Sequence, residues 1–453
     1  MTHCQEAINR YQKLLESPPF QDLGWAEELE QRLRAKGLLG GRSPVLPVLR
    51  PHLITRRQFE DLASASTALL SAIERVKKLV LTNPALLARM ELLPAEKMLA
   101  TVDPGYPFSS VATRLDAHLN NGSLYFTQFR VGAPAGVATS EALTDLFENT
   151  AIMREFSQRY RLTKVSGVKH LLNALLQAYR VFGGREPKPR IAIVEVLPPF
   201  QNRHTDEYLL LAEYFRREGY PTEVLSPDQL EYRGKRLRKG DFVIDIVYRK
   251  VTVQEFLMRY DLTHPLVRAY REGTVCVANS FRAELAYKRA IFELLTDERI
   301  TASFPAAERK AIAQHIPWTR VVAPVRTTYR GETIDLPEFI LKNRERLVLR
   351  PNDPTGDRHP IYGWQTDEVT WERALQTALR EVYVVQERVD PTVQTFPIYR
   401  YGTLLTKPMA VEVQPHVYLG EVQACSTWLS DASARTFSSL CGLAPTFILE
   451  GKA

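Results

Sequence analysis

A chain of 453 residues, 45% apolar and 25% charged, is too long for one compact core and suits roughly two or three packed lobes of a globular protein. Its formal net charge of +7 admits a polyanionic partner, but the basic residues are dispersed. The densest cluster, Arg233 to Lys239, falls in a predicted β-hairpin turn without interleaved aromatics, so nucleic acid stays the minor reading. No apolar run approaches the length of a membrane span, and the polar segment Met1 to Gln12 is not a secretory signal. Cys4, Cys276, Cys425 and Cys441 are widely spaced, and the nine histidines show no ligand spacing. Both patterns point to reduced thiols in a cytoplasmic protein rather than a disulfide framework or a zinc site.

In chain order, apolar residues at Ile8, Tyr11, Leu14 and Leu15, then Leu23, Trp25, Leu29 and Leu33, predict helix from Gln5 to about Gly40. Gly40, Gly41, Pro44, Pro47 and Pro51 read as a linker. A long helix is predicted from about Thr55 and a shorter one over Pro84 to Glu91. Strand formers Tyr125 to Val131 follow the turn signal Asn120-Asn121-Gly122, and helices return from Ser140 to about Phe182. Arg190 to Val196 is an apolar run suited to a buried parallel strand. After it come a helix Asp206 to Glu218, strands Thr222 to Leu225 and Phe242 to Tyr248, a helix to Arg271 and a strand Val275 to Ala278. The last third alternates a helix Ala283 to Leu295, a strand Leu347 to Leu349, a helix Trp371 to Glu381, a strand Val382 to Val389 and paired strands around Ala410 to Cys425. The fold class is mixed α/β.

Three stretches carry candidate chemistry. Asn279 to Leu295 runs from a strand end into a helix bearing Lys288. Leu347 to Gly356 reads Leu-Val-Leu-Arg-Pro-Asn-Asp-Pro-Thr-Gly, and Tyr383 to Val389 supplies Gln386 and Glu387. Cations for phosphates, a glycine loop, a strand edge for adenine and carboxylates for Mg²⁺ are what ATP-dependent group transfer needs. Arg249, at the end of a buried strand, suits either an anionic group or a structural ion pair.

These stretches resemble the circularly permuted ATP-grasp proteins, the branch that includes glutathionylspermidine synthetase, over about Arg114 to Glu450. In the permuted order the metal-side segment, Arg114 to Gly136, precedes the nucleotide segments. The resemblance implies a carboxylate–amine ligase that makes an acyl phosphate, with ATP and Mg²⁺ as cofactors if it is active and none if it is not. It places Lys288 and Arg350 at the two phosphate-binding lysine positions, Asn352, Asp353, Gly356 and Arg358 in the phosphate loop, and Gln386 and Glu387 at the adenine. Arg114, Arg249 and Arg282 become the substrate candidates, and Asp116 and Glu412 the metal candidates. The implied domains are a helical extension and linker over 1–50 and a helical region with the permuted strands (about 109–136) over 51–186. A pre-ATP-grasp-like α/β domain over 187–282 and a nucleotide lobe with C-terminal strands over 283–453 complete the chain.

Departures from the family pattern accompany the matches. The loop Lys-Pro-Asn-Asp-x-x-Gly-Gly-x-Gly appears as Arg350-Pro-Asn-Asp-Pro-Thr-Gly-Asp-Arg-His-Pro360, with two glycines gone, Asp357 added and Pro360 stiffening the turn. The Glu-x-Asn metal pair appears as Gln128 and Arg130, a neutral amide and a cation. The simplest expectation is that they face solvent or a neighbouring carboxylate, and the alternative is that Arg130 fills the metal site with its own charge against Asp116. The family's Asp-x-Asp appears as Glu412-Val-Gln414. The expected protein is therefore a degenerate ligase-like one with a binding or regulatory role, with the helices before about residue 105 facing a partner such as an active paralogue. The competing readings are a working ligase with an altered cradle, in which Lys288, Arg350 and Arg358 neutralise phosphates and Asp116 and Glu412 share a metal, and a polyanion binder.

Overall fold

A computed structural model describes residues 2–39, 44–108, 110–120, 122–197, 206–354, 358–400, 402–433 and 440–451. The expected linker glycines Gly40 and Gly41, the turn residue Asn121, and Gly356 and Asp357 of the phosphate loop lie outside the described residues.

The first expected helix is two, His3–Leu15 and Gly24–Ala35, because Ser17-Pro18-Pro19 cannot continue the first. Their buried faces pack with Phe147, Phe156 and Phe447. The long helix is Arg56–Thr82, opened by a capping box in which Thr55 and Gln58 each accept from the other's backbone N–H. Leu62, Leu69, Ile73, Val76 and Val80 repeat every three or four residues and form the buried stripe that meets the largest core. Among the described residues no helix is long and apolar enough to cross a membrane.

The sheet that positions the site contains strands from both ends of the chain. Its order is Cys441–Ala444, Glu421–Asp431, Thr403–Tyr418, Ala112–Asn120, Ser123–Arg130, and Thr392–Arg400 pairs with the first half of the long 403–418 strand. His416 lies opposite Arg114 in the antiparallel ladder and Asp116 opposite Gln128. One face of this sheet packs on the 290–295 helix, where Phe129 stacks on Phe292 with ring centroids 4.5 Å apart.

Beside it lies a four-stranded parallel sheet in the order Cys276–Ala278, Ile246–Arg249, Ile191–Val194, Thr222–Leu225. Its central strand is buried along its length, as an uninterrupted apolar run in a parallel sheet should be. The strand expected over Phe242 to Tyr248 is broken in two, Phe242–Val243 closing a small hairpin sheet and Ile246–Arg249 entering the parallel one. An antiparallel sheet, Thr319–Val321, Tyr383–Glu387, Leu347–Pro351, Ile361–Tyr362, forms the next lobe. The helix expected over Ala283 to Leu295 is a 3₁₀ segment, Phe281–Ala286, followed by a short α-helix, Ala290–Leu295.

Candidate functional site

The 123–130 strand ends at Arg130, and the 112–120 strand carries Arg114 and Asp116 on the facing ladder positions. Asp116 is buried, and each of its oxygens accepts from a guanidinium. Arg114 Nε donates to Oδ1 at 3.0 Å and Arg130 Nε to Oδ2 at 2.8 Å. Burial would raise the Asp116 pKa, but the charges of Arg114 and Arg130 outweigh it and hold the carboxyl below its ordinary range. Arg114 also donates through Nη1 to Ala135 O at 2.9 Å.

Glu412, on the 403–418 strand, lies in the field of Asp116 and accepts from Gln414 Nε2 at 2.7 Å. Burial first, then the Asp116 charge, pushes its carboxyl up to about 7. Gln128 is turned the other way: its amide donates to Phe129 O and Tyr287 O, both at 3.3 Å, and its buried Oε1 has no hydrogen-bond partner among the described residues.

Lys288 is buried between two carboxylates, Glu96 at 2.7 Å and Asp353 at 2.6 Å. Burial alone would lower its pKa, but the charges of Asp353 and Glu96 reverse that and raise it. Glu96 comes from the helix Pro94–Thr101, an element and a residue that sequence reasoning missed. Helical spacing over eight residues is too short to register, but Pro94 at the first helical position with Glu96 in the first turn marks a helix start, and Leu93 N–H donates to Glu96 Oε2 at 2.9 Å.

The neighbouring Arg289 was also missed. A charged pair directly before the buried segment Ala290–Leu295 is the available signal, since at least one of the two must point inward. Arg289 is 7% exposed, and its Nη1 donates to Pro351 O at 2.7 Å. Its Nε is buried without a hydrogen-bond partner among the described residues. Burial, and then the charges of Arg350 and Arg130, pull its pKa down to about 9. Arg350, on the 347–351 strand, likewise has a buried Nε without a hydrogen-bond partner among the described residues.

The remaining candidates are placed as follows. Asn352 accepts from Ala290 N at 2.8 Å and donates to Met90 O at 3.1 Å, joining the loop to the helix. Arg358 forms an exposed ion pair with Glu381 at 3.0 Å. The 383–387 strand is interior to its sheet, with Gln386 buried and donating to Thr319 Oγ1 at 3.1 Å. Glu387 accepts from Tyr329 and Arg330, and its backbone N–H already donates to Trp318 O at 2.9 Å.

Arg249 is fully buried and engaged with Glu284 at 2.9 Å and with the carbonyls of Asn279, Ser280 and Val251. Arg282 donates to Ala100 O, Thr101 O and Val102 O, which caps the C-terminus of the 94–101 helix. The chain thus brings Arg114, Asp116, Arg130, Glu412, Arg289 and Arg350 into one electrostatic cluster, with the Lys288 ion pairs next to it. Arg249, Arg282 and Arg358 have their own partners elsewhere. Among the described residues there is no group of three or more His, Cys, Asp or Glu side chains that could hold a metal ion.

No family model matches the chain, and no curated protein matches it. Among solved structures it is similar to a glutathione synthetase-like effector from Globodera pallida in its apo form. The TM-score is 0.62 at 14% identity, covering 96% of this chain and 98% of that one. A second is a putative gamma-glutamylcysteine synthetase from Methylobacillus flagellatus KT, with TM-score 0.44, 10% identity and coverage of 86% and 87%. At 14% identity the first likeness speaks for architecture alone: this chain has a mixed α/β, glutathione synthetase-like fold.

Proposed function

We propose that the chain is a degenerate ligase of the circularly permuted ATP-grasp type, which binds a ligand and no longer ligates. The synthetase-like fold supports the first part. So does the sheet in which the 112–130 hairpin joins the 403–431 strands, as a permuted order requires.

The observation that carries the second part is the clamp on Asp116. Mg²⁺ takes oxygen ligands, chiefly carboxylates, in near-octahedral geometry. Here both oxygens of Asp116 accept from guanidiniums, Gln128 turns its amide to two backbone carbonyls, and Arg130 places a cation where the resemblance puts the metal. The donor set does not fit Mg²⁺. Lys288, which would have to reach a phosphate, is held by Glu96 and Asp353.

The test is calorimetric titration with ATP, with and without Mg²⁺, alongside a phosphate-release assay and a Lys288→Ala control. Binding that is indifferent to Mg²⁺, without phosphate release, is the expected result. Mg²⁺-dependent binding that is lost in Lys288→Ala, with turnover, would restore the active carboxylate–amine ligase.

A further inference from the structure

Three guanidiniums from three different elements lie within one another's electrostatic reach, and one of them, Arg130, pairs with Asp116. Arg130 ends the 123–130 strand, Arg289 precedes the 290–295 helix, and Arg350 lies on the 347–351 strand. The backbone ties them together. Gln128, two residues before Arg130, donates to Tyr287 O, two residues before Arg289, and Arg289 donates to the carbonyl of Pro351, next to Arg350. Arg114, Arg130 and Arg350 lie in the field of the two carboxylates Asp116 and Glu412, and Arg289 lies in the field of Arg350 and Arg130.

Only Asp116 engages them directly, through Arg114 and Arg130. Among the described residues the Arg350 side chain makes no hydrogen bond and no ion pair, and the Nε–H groups of Arg289 and Arg350 are both buried and unpartnered. An unpartnered buried donor on a charged group is costly, and a native fold keeps it where something else satisfies it. The adjacent Lys288, by contrast, has a surplus of carboxylate around it. Arg130 keeps 36% of its side-chain surface exposed, so the cluster reaches solvent at that residue.

We propose that Arg130, Arg289 and Arg350 form a metal-independent site for a multiply charged phosphoryl anion, with Arg130 standing in for a metal ion. This deepens the binding role proposed above and rests on it. A carboxylate presents two oxygens, which one guanidinium fork satisfies. Three forks with two idle Nε–H donors suit a tetrahedral, multi-oxygen anion instead. The depressed pKa of Arg289 reflects burial and the unrelieved charges of Arg350 and Arg130, which a bound anion would neutralise.

The experiment is titration of the full chain with inorganic pyrophosphate in EDTA, read by calorimetry and thermal shift, with citrate as the carboxylate comparison and Arg350→Met as the variant. Pyrophosphate should bind and raise the melting temperature without any divalent ion. Arg350→Met should weaken it at least tenfold, by about 1.4 kcal/mol. Because Arg350 has no hydrogen-bonded or ion-paired partner among the described residues, the ligand-free variant should melt at or above the wild-type temperature, which separates loss of the site from loss of the fold. No binding in EDTA, binding unchanged in Arg350→Met, or equal binding of citrate overturns the site. If pyrophosphate fails in EDTA while ATP shows no turnover, the degenerate reading stands without this site. Turnover of ATP alongside metal-free binding sinks that reading and keeps the site.

Discussion

Glu96 Oε1 accepts from Lys288 Nζ at 2.7 Å across 192 residues of chain, and the pair is buried on both sides. The contact turns a position expected to grip phosphate into a crosslink between the 94–101 helix and the segment entering the 290–295 helix. With Asp353 on its other side, the ammonium has two carboxylates to neutralise. Lys288→Met removes the cation between the two carboxylates, and removing one partner of a buried ion pair costs about 3–5 kcal/mol. Glu96→Gln keeps an acceptor on Nζ and leaves Asp353 as the counter-charge, so its cost is about 1 kcal/mol. Urea unfolding of the two variants checks the order. Equal costs would mean that Lys288 is not held as a charge.

The Asp116 clamp is open to a gain-of-function test. Gln128→Glu with Arg130→Asn restores the Glu-x-Asn pattern that the resemblance associates with a metal. Without a metal, the new carboxylate at 128 faces Phe129 O and Tyr287 O, which now accept from the amide, and Asp116 loses one of its two cations. The double variant should be less stable than wild type by about 2–4 kcal/mol in EDTA, since carboxylate is added and guanidinium removed at a buried site. Millimolar Mg²⁺ should recover part of that loss and should leave wild type unchanged. Melting temperatures with and without Mg²⁺ decide it; a variant blind to Mg²⁺ would show that more than these two side chains was altered.

Much of the frame could be read from local pattern. The turn signal at residues 120–122 lies between the strands Ala112–Asn120 and Ser123–Arg130, Thr55 caps the long helix, and Ile191–Val194 is the buried parallel strand that its apolar run suggested. Each depends on residues within a few positions of one another. What escaped depends on distant partners. Arg282 looked free for a substrate because nothing near it in sequence shows that the 94–101 helix ends against it. Lys288 was legible as important but not as neutralised, because Glu96 sits on a helix too short to show a period. Arg130 beside Asp116 could be anticipated, since both lie on one predicted hairpin and the pleat brings the two positions near each other.

Lys250 gives the fold a dependence on alkaline pH. It is 1% exposed, donates to Pro134 O, and sits over the rings of Tyr208 and Tyr248 at 5.1 and 4.9 Å. Burial pulls its pKa down to about 7. Glu207 and Glu195 oppose the shift, and Arg114 and Arg249 add to it. Between pH 7 and the ordinary lysine value of about 10.4 the folded chain holds the amine neutral while the unfolded chain stays protonated. The unfolded state then binds more protons, so stability rises with pH across that window and the penalty is complete below it. The gain across the whole window is on the order of 5 kcal/mol, of which about 3 kcal/mol falls between pH 7 and 9.5. Lys250→Met removes it, so the stability difference between wild type and variant should shift in favour of wild type from pH 7 to pH 9.5. Parallel profiles in urea melts would place the amine's pKa outside this window.

The residue that joins the two main sheets is Asn279, which is fully buried. Its Oδ1 accepts from Val111 N at 2.6 Å and Ala112 N at 3.0 Å, and its Nδ2 donates to Ala112 O at 2.5 Å and Val131 O at 2.6 Å. One side chain therefore satisfies four backbone groups at the entry and exit of the hairpin that carries Arg114, Asp116 and Arg130. Asn279→Ala leaves those groups buried without partners, and at about 1–3 kcal/mol each, partly relieved by relaxation, the loss should reach about 3–5 kcal/mol. Asn279→Asp keeps the shape and the two accepted bonds but turns an oxygen towards two carbonyls and buries a charge, so it should destabilise at least as much as Ala. Because the hairpin is what sets Arg130 against Asp116, either variant should also weaken pyrophosphate binding at temperatures where the chain is still folded. Chemical unfolding and titration of the same preparations would check both effects. A stable Asn279→Asp protein with unchanged binding would show that the hairpin is held by its own ladder rather than by this amide.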